Sequence, residues 1–348
     1  MEVVIDAMGG DYAPQEIVAG AVVAARTYHL PIVLVGDETR LREELTTWGK
    51  VEGVEIHHAS QVIGMNEAPG TAVRRKPDSS IVVGVRLLRE KNDRALVTAG
   101  NTGAAVAAGK LYLGTVEEVP RPGIGILLPV RDKKWTMVID AGGNVDCQPE
   151  HLVVFARLAS LYMSRMLRLL YPRVGLLNIG EEEGKGNALT RQTYPLLQKA
   201  DLNFIGNVDA KDVFGGVADV IVCDGFSGNL LLKIAEGFVE LFWEYLHGAV
   251  NTNLLTKIGG ALLRPALQDI ARRLDYSEYG GALLLGLNGV VVICHGRSRA
   301  KAILNAVRVA QEAVERRVVE HTCEVFSAQE RKRALNQPVG GFSRGPGK

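Results

Sequence analysis

Five polar, glycine-rich stretches carry the residue types that could bind and activate an anion. The sharpest is Gly100-Asn101-Thr102-Gly103, which follows the apolar run Ala95 to Thr98 and precedes an alanine-rich run of good helix formers. That order predicts strand, tight turn, helix. The first N–H groups of such a helix have no partner within it, and the macrodipole adds about half a positive charge there, so an anion is stabilised. Asn101 and Thr102 can cap the helix or donate outward.

The same design recurs. Val3-Val4-Ile5-Asp6 leads into Met8-Gly9-Gly10-Asp11, and Met137 to Asn144 ends in Asp140-Ala141-Gly142-Gly143-Asn144. Val220 to Asn229 ends in Asp224-Gly225-Phe226-Ser227-Gly228-Asn229, and Val290 to Ser298 ends in His295-Gly296-Arg297-Ser298. Ser227 and Asn229 offer donors at a helix start, with Lys233 one turn further on. If these strands run parallel in one sheet, their elbows share a carboxyl edge, where open α/β sheets bind ligands. A site for a small anion is the expectation. Gly180 to Asn187, with Lys185 between glycines, fails the phosphate-loop pattern, which needs four residues before Gly-Lys and then Ser or Thr. Lys185 stays a candidate anion contact.

The elements needed to position these elbows alternate along the chain. Strands are expected at Val3 to Ile5, Ile32 to Val35, Val54 to His58, Ala95 to Thr98, Val174 to Ile179, Asn203 to Asn207, Ala218 to Cys223 and Gly289 to Cys294, with helices between most of them. Gly123 to Val130 and Trp135 to Ile139 read as a hairpin, so the sheet should be mixed. Residues 59–78 read as a long irregular loop carrying Arg74, Arg75 and Lys76. Leu230 to Leu274 reads as mostly helical, and Leu254, Leu255, Ile258 and Leu262 share one helical face among Lys257, Arg264, Arg272 and Arg273. Core or dimer packing and contact with an anionic bilayer both suit that face. Tyr276 to Asn288 reads as a glycine-rich connection, and the last helix runs to about Arg317.

Composition narrows the classes. The chain has 348 residues, 47% of them apolar, and its 40 basic and 39 acidic side chains leave a formal charge of +1, which argues against bulk attraction to nucleic acid. The four cysteines are scattered without a Cys-x-x-Cys, so neither a disulfide framework nor a metal site is expected, and a reducing cytoplasm fits. The opening Met-Glu-Val-Val-Ile-Asp lacks the pattern of a secretory leader, and no run reaches 18 uninterrupted apolar residues.

Taken together, Asp6 to Asp11, Thr98 to Ala104, Asn178 to Gly186, Asp224 to Asn229, and Tyr279 to Gly286 with His295 to Ser298 resemble the bacterial acyl-carrier-protein:phosphate acyltransferases of phospholipid synthesis, the PlsX family, over Met1 to about Arg333. Three positions depart from its usual pattern: Gly143 where alanine is usual, Asn207 to Asp212, and Leu283 in place of proline. The resemblance implies an α/β, isocitrate/isopropylmalate dehydrogenase-like three-layer fold with a mixed, largely parallel sheet and a helical excursion. One large domain would cover 1–335, with the membrane or dimer excursion at about 236–275 and a disordered tail at 336–348.

It further implies a homodimer that transfers a fatty acyl group from acyl carrier protein to inorganic phosphate without a cofactor. Peripheral attachment to the inner face of the cell membrane would pass the product to a glycerol-3-phosphate acyltransferase. Phosphate is already an anionic nucleophile and a thiolate leaves readily, so the enzyme must supply position and oxyanion stabilisation. On that chemistry Gly100, Asn101, Thr102, Gly103, Ser227, Gly228 and Asn229 are expected at phosphate, Lys185 and His295 as charge or proton partners, and Asp224 orienting them. Arg74, Arg75 and Lys76 would dock the acidic carrier, and Leu254, Leu255, Ile258 and Leu262 would touch membrane. Cys223 and Cys294 close strands, so an acyl-cysteine step is not expected. The rivals are a phosphate acetyltransferase-like enzyme using acyl-coenzyme A and a nicotinamide-dependent dehydrogenase on the same fold.

Overall fold

Val3, Val4 and Ile5 are all fully buried, yet Val3 and Ile5 pack in one core while Val4 packs in another. A strand alternates its side chains between faces, so a continuous apolar run marks a strand covered on both sides. The computed structural model bears this out and describes residues 1–91, 93–274, 278 and 280–336.

In chain order the first half contains β1 (Glu2–Asp6), α1 (Gln15–Tyr28), β2 (Ile32–Gly36), α2 (Glu38–Thr46), β3 (Val54–His58), α3 (Pro69–Arg75), α4 (Ser80–Leu88), β4 (Arg94–Thr98) and α5 (Thr102–Ala108). The middle contains β5 (Gly123–Pro129), β6 (Trp135–Ile139), α6 (Pro149–Leu167), β7 (Arg173–Asn178), α7 (Ala188–Lys199), β8 (Asn203–Asp209) and β9 (Val220–Val222). Then come α8 (Gly225–Val250), α9 (Leu254–Leu274), β10 (Ala282–Leu285), β11 (Val290–Ile293), α10 (Ala300–Glu315) and α11 (Val318–Asn336).

Among the described residues, eleven strands form one sheet in the order β3-β2-β1-β4-β11-β10-β5-β6-β9-β7-β8. Helices α1, α6 and α10 contribute to the core on one face, and α3, α4 and α5 to the core on the other, giving the expected three layers. The sheet is mixed and largely parallel, as expected.

Three elements differ from the sequence reading. Ala282–Leu285, read as part of a connection, is β10, antiparallel to both β11 and β5. Residues 59–78 contain a short helix, α3, with Pro69 in its first turn. Helix α11 extends the chain's helical end well past Arg317. The expected disordered tail lies, apart from Asn336, outside the described residues, as do Tyr276, Ser277 and Tyr279.

Strand β10 matters most, because with the β5–β6 hairpin it reverses the sheet. Strands β1 to β4, β11 and β5 run one way, and β10, β6, β9, β7 and β8 run the other. The elbows therefore do not share one carboxyl edge. Those after β1, β4 and β11 gather at one edge of the sheet, and those after β6, β7 and β9 at the other.

Candidate active site

At the first edge, Asn101 caps α5 by accepting the Ala104 N–H at 3.0 Å. Its amide Nδ2 is committed to the carbonyls of Gly64, Met65 and Glu67 at 3.2, 3.1 and 3.2 Å. Asn101 thus braces the 64–67 loop. The same loop is closed by Lys76, whose Nζ lies 2.8 Å from the Val62 carbonyl and 2.6 Å from the Glu67 carboxylate, holding that carboxyl below its usual range. Of the expected docking trio, Lys76 is engaged in this way, while Arg74 and Arg75 are exposed at the end of α3.

The exposed residue of this elbow is Thr102, at the start of α5, where the N–H groups ahead of the capped Ala104 have no partner within the helix. Gly103 is required by packing, since a Cβ there would stand 2.5 Å from Pro69 Cγ. The β1 and β11 elbows adjoin it: Asp11 N–H donates to the Gly296 carbonyl at 2.8 Å, and β11 pairs with β4 up to Ile293 and Thr98. Underneath, Asp6 accepts the Thr98 hydroxyl at 2.7 Å, and burial raises its pKa despite those bonds.

At the second edge, Asp224 caps α8 and accepts both the N–H and the hydroxyl of Ser227, at 2.9 and 2.8 Å. Asp140, fully buried, accepts N–H groups of Ile124, Gly143 and Asn144 at 2.9, 2.9 and 2.6 Å and the Asn144 amide at 2.8 Å. Gly228 lies against this turn, where a Cβ would meet the Asp140 carbonyl oxygen at 2.0 Å. Asn229 is exposed beside Gly142, whose φ of +123° suits glycine alone.

Lys185 is exposed on the loop after β7, which Asn178 and Asn207 fasten by bonds to the Lys185 and Glu182 carbonyls at 3.1 and 2.8 Å. Because β7 pairs with β9, Lys185 shares its edge with Ser227 and Asn229 rather than with His295.

Helix α8 spans the gap between the two sets of elbows. Asn229, Lys233, Glu236 and Glu240 recur at i, i+4, i+7 and i+11, a spacing that places them on one face. That face meets the β11 elbow, with Lys233 Nζ 3.3 Å from His295 Nε2 and Glu240 3.1 Å from Arg297. Ser227 and Lys233 are separated by roughly 9 Å of helix axis. Burial first, then the Lys233 charge, lowers the pKa of His295, whose Nδ1 accepts the Arg297 N–H at 3.1 Å. The structure thus places Ser227, Asn229 and the Lys233 that meets His295 along one helix, puts Lys185 at the other edge of the sheet from His295, and turns the Asn101 amide to the 64–67 loop. Lys233 was legible as a cation near Ser227, but its pairing with His295, 62 positions away, has no local signal.

Alongside that face, α8 carries exposed apolar residues: Phe226, Leu230, Ile234, Phe238 and Tyr245. On α9, Leu254, Leu255, Ile258 and Leu262 are exposed as well. No described helix is long and apolar enough to cross a membrane. Cys223 and Cys294 are buried as expected, and burial pushes the Cys294 thiol up to about 12.

The family model described as "Fatty acid synthesis protein" matches residues 1–321. A phosphate acyltransferase of Pelotomaculum thermopropionicum is 51% identical over 320 residues, 92% of this chain and 93% of that one. The phosphate acyltransferase of Moorella thermoacetica is 47% identical over 332 residues, covering 95% of this chain and 98% of its own. Among solved structures, a phosphotransacetylase from Streptococcus pyogenes aligns with a TM-score of 0.59 at 17% identity, over 90% of this chain and 94% of that one. A branched-chain phosphotransacylase from Enterococcus faecalis aligns with a TM-score of 0.56 at 13% identity, over 90% and 99%. The two solved structures share the fold; the near-complete sequence matches go further, and the chain belongs to the fatty acid synthesis protein family, alongside these phosphate acyltransferases.

Proposed function

We propose that this phosphate acyltransferase takes a fatty acyl group from acyl carrier protein, transfers it to inorganic phosphate and so supplies acyl phosphate for phospholipid synthesis. An oxygen of hydrogen phosphate adds to the thioester carbonyl carbon, and the carbonyl π pair moves onto oxygen. Collapse restores the carbonyl and breaks the C–S bond. The electron pair leaves on sulfur, and the proton of hydrogen phosphate ends on the thiol. No residue need be acylated.

The observation that supports this most is the Lys233–His295 contact, because it sets an ammonium and an imidazole together beside the β11 elbow. Phosphate is assigned to the exposed Thr102 and the first N–H groups of α5, at the end of the strand that neighbours the one leading to His295. Ser227 and Asp224 hold the start of α8, so that Lys233 keeps its place. Asn229 and Lys185, exposed at the other end, are assigned to the bound carrier thioester or to phosphate arriving there.

The acidic carrier is assigned to Arg74 and Arg75, exposed on the helix packed against α5. The outward apolar stripe of α8 is assigned to a second copy of the chain, and Leu254, Leu255, Ile258 and Leu262 to the inner face of the cytoplasmic membrane, where a glycerol-3-phosphate acyltransferase would use the product. One catalytic domain is assigned to 1–335, with its excursion at about 236–275 in α8 and α9.

Free-thiol release from an acyl carrier thioester, with phosphate present or omitted, tests the reading. Phosphate-dependent release that is much faster with carrier protein than with coenzyme A supports it. Preference for coenzyme A would assign the phosphotransacetylase-type donor instead.

A further inference from the structure

We infer, resting on the acyl transfer proposed above, that Met65 determines acyl-chain specificity: its side chain is the surface on which the first carbons of a long acyl chain lie while the thioester is bound beside His295.

The loop that carries Met65 is fixed, yet it holds an apolar side chain out in water. Asn101 Nδ2 donates to the carbonyls of Gly64, Met65 and Glu67 at 3.2, 3.1 and 3.2 Å, and the Glu67 carboxylate accepts the Gly64 N–H at 2.6 Å. Those bonds set the backbone on both sides of Met65. Its side chain stays 44% exposed.

A single exposed apolar residue means little by itself, so its place has to decide. A Cβ at Gly296 would stand 2.8 Å from Met65 Cε, which puts the methionine methyl against the residue next to His295. Met65 therefore joins two elbows, that of β4 through its carbonyl on Asn101 and that of β11 through its methyl on Gly296. Phosphate is assigned to the first of these and His295 stands on the second.

A thioester carbonyl between the two elbows carries its chain directly on the reacting carbon. The chain's first methylenes then need apolar surface within a few bonds of that point, and Met65 supplies it. Val62, on the same loop and 38% exposed, extends the surface for later carbons. Methionine suits the task because it is unbranched and polarizable, so it can follow the shape of a flexible chain. A short acyl group ends before it gains much of this contact.

The test is the chain-length dependence of kcat/KM on the full chain. Phosphate-dependent thiol release is measured with butyryl and palmitoyl thioesters of acyl carrier protein and, in parallel, of coenzyme A. Burying one methylene is worth roughly fourfold in affinity, and the palmitoyl-to-butyryl ratio isolates that contact from effects on phosphate, on the leaving thiol or on the amount of folded protein. Met65→Gln, close in length but polar, should lower the ratio at least about tenfold. Met65→Leu, apolar and of similar volume, should keep it within about threefold of the parent.

An unchanged ratio in Met65→Gln overturns the inference. So does an equal loss with both chain lengths, which would mean that Met65 only holds its loop. If the parent releases no thiol in response to phosphate, the acyl transfer itself falls, and Met65 is decided by binding instead. Dissociation constants for the two carrier thioesters without phosphate should then show a selective loss of palmitoyl binding in Met65→Gln, and equal constants in parent and variant overturn the contact.

Discussion

Both donors of Ser227 point at a single carboxylate: its N–H lies 2.9 Å and its hydroxyl 2.8 Å from Asp224. A serine in a glycine-rich elbow invites the idea of a free hydroxyl aimed at ligand. Here the hydroxyl is held by the residue that caps the helix, and a fixed negative charge already occupies that helix end. The consequence is a positioning role. Helix α8 runs for 26 residues yet buries only Gly225 and Gly228, so its direction depends on this cap and on its polar stripe.

Asp224→Ala should therefore cost about 1–2 kcal/mol of stability, the range for losing a helix cap, while Asp224→Asn, which still accepts the Ser227 N–H, should stay within about 0.5 kcal/mol of the parent. Urea unfolding measures both. If Ala and Asn are equally tolerated, the cap does not hold α8.

Asn101 permits a cleaner substitution. Asn101→Asp keeps the oxygen that caps α5 but replaces the amide donor with a second oxygen facing the carbonyls of Gly64, Met65 and Glu67. Acceptor would then meet acceptor, with a loss of roughly 2–3 kcal/mol expected for a hydrogen-bonded site turned unpaired. Limited proteolysis should cut first within 62–68. A variant as protease-resistant as the parent would mean that the brace is unimportant.

Gly228→Ala tests packing against phosphate binding. The added methyl would overlap the Asp140 carbonyl oxygen at 2.0 Å, so α8 must shift away from the β6 elbow. Destabilisation of at least about 1–3 kcal/mol is expected, with the melting temperature as readout. Loss of phosphate affinity with an unaltered melting curve would assign Gly228 to the ligand instead.

These three residues show what could be read from the chain and what could not. The elbows were legible because an apolar run followed by glycine has few alternative structures, and Val3 to Ile5 could hardly be anything but a strand buried on both sides. Residue type did not reveal direction: the Asn101 amide serves a loop as readily as a ligand, and Gly103 and Gly228 are small for the sake of Pro69 and Asp140. The reversal of the sheet was hidden for a different reason. Ala282–Leu285 lies between Gly281 at φ +94° and Gly286 at φ +89°, a local pattern of turns, and it becomes a strand only because β5 and β11 leave an antiparallel slot. Likewise the Lys233–His295 contact is set by where α8 crosses the sheet, which is a property of the whole fold.

Cys223 and Cys294 are each only 3% exposed, and burial raises both thiols far above the range of a reactive thiolate. Cys223→Ala/Cys294→Ala should retain phosphate-dependent thiol release within about threefold, and a thiol reagent should not label either residue before unfolding. A folded but inactive double variant would restore an acyl-cysteine step.

On α9, Leu255 and Leu262 are 82% and 78% exposed on a face assigned to the membrane. Replacing both with glutamate should reduce flotation with vesicles containing anionic lipid at least tenfold, since each buried leucine contributes about 1.5–3 kcal/mol. Turnover in solution should stay near the parent value. Unchanged flotation would move the membrane contact elsewhere.

The pH dependence of stability follows from the histidines. Burial and the Lys233 charge hold His295 below its ordinary value of 6.5, and burial and Arg121 do the same to His151. The folded protein therefore binds these protons less readily than the unfolded chain. Unfolding takes up protons in the interval between the lowered values and 6.5, so stability is full above about pH 6.5 and declines as pH falls through that interval, by at most about 1.4 kcal/mol per pH unit for each histidine. Asp6 and Asp140 act in the opposite sense, since burial raises them: their stabilisation is present at low pH and is lost as pH rises through their folded values. The histidine contribution can be isolated with His295→Asn, whose side-chain oxygen can still accept the Arg297 N–H. Urea midpoints taken from pH 7.5 to 5 should fall less steeply in this variant than in the parent, and parallel curves would show that His295 titrates alike in the folded and unfolded chain.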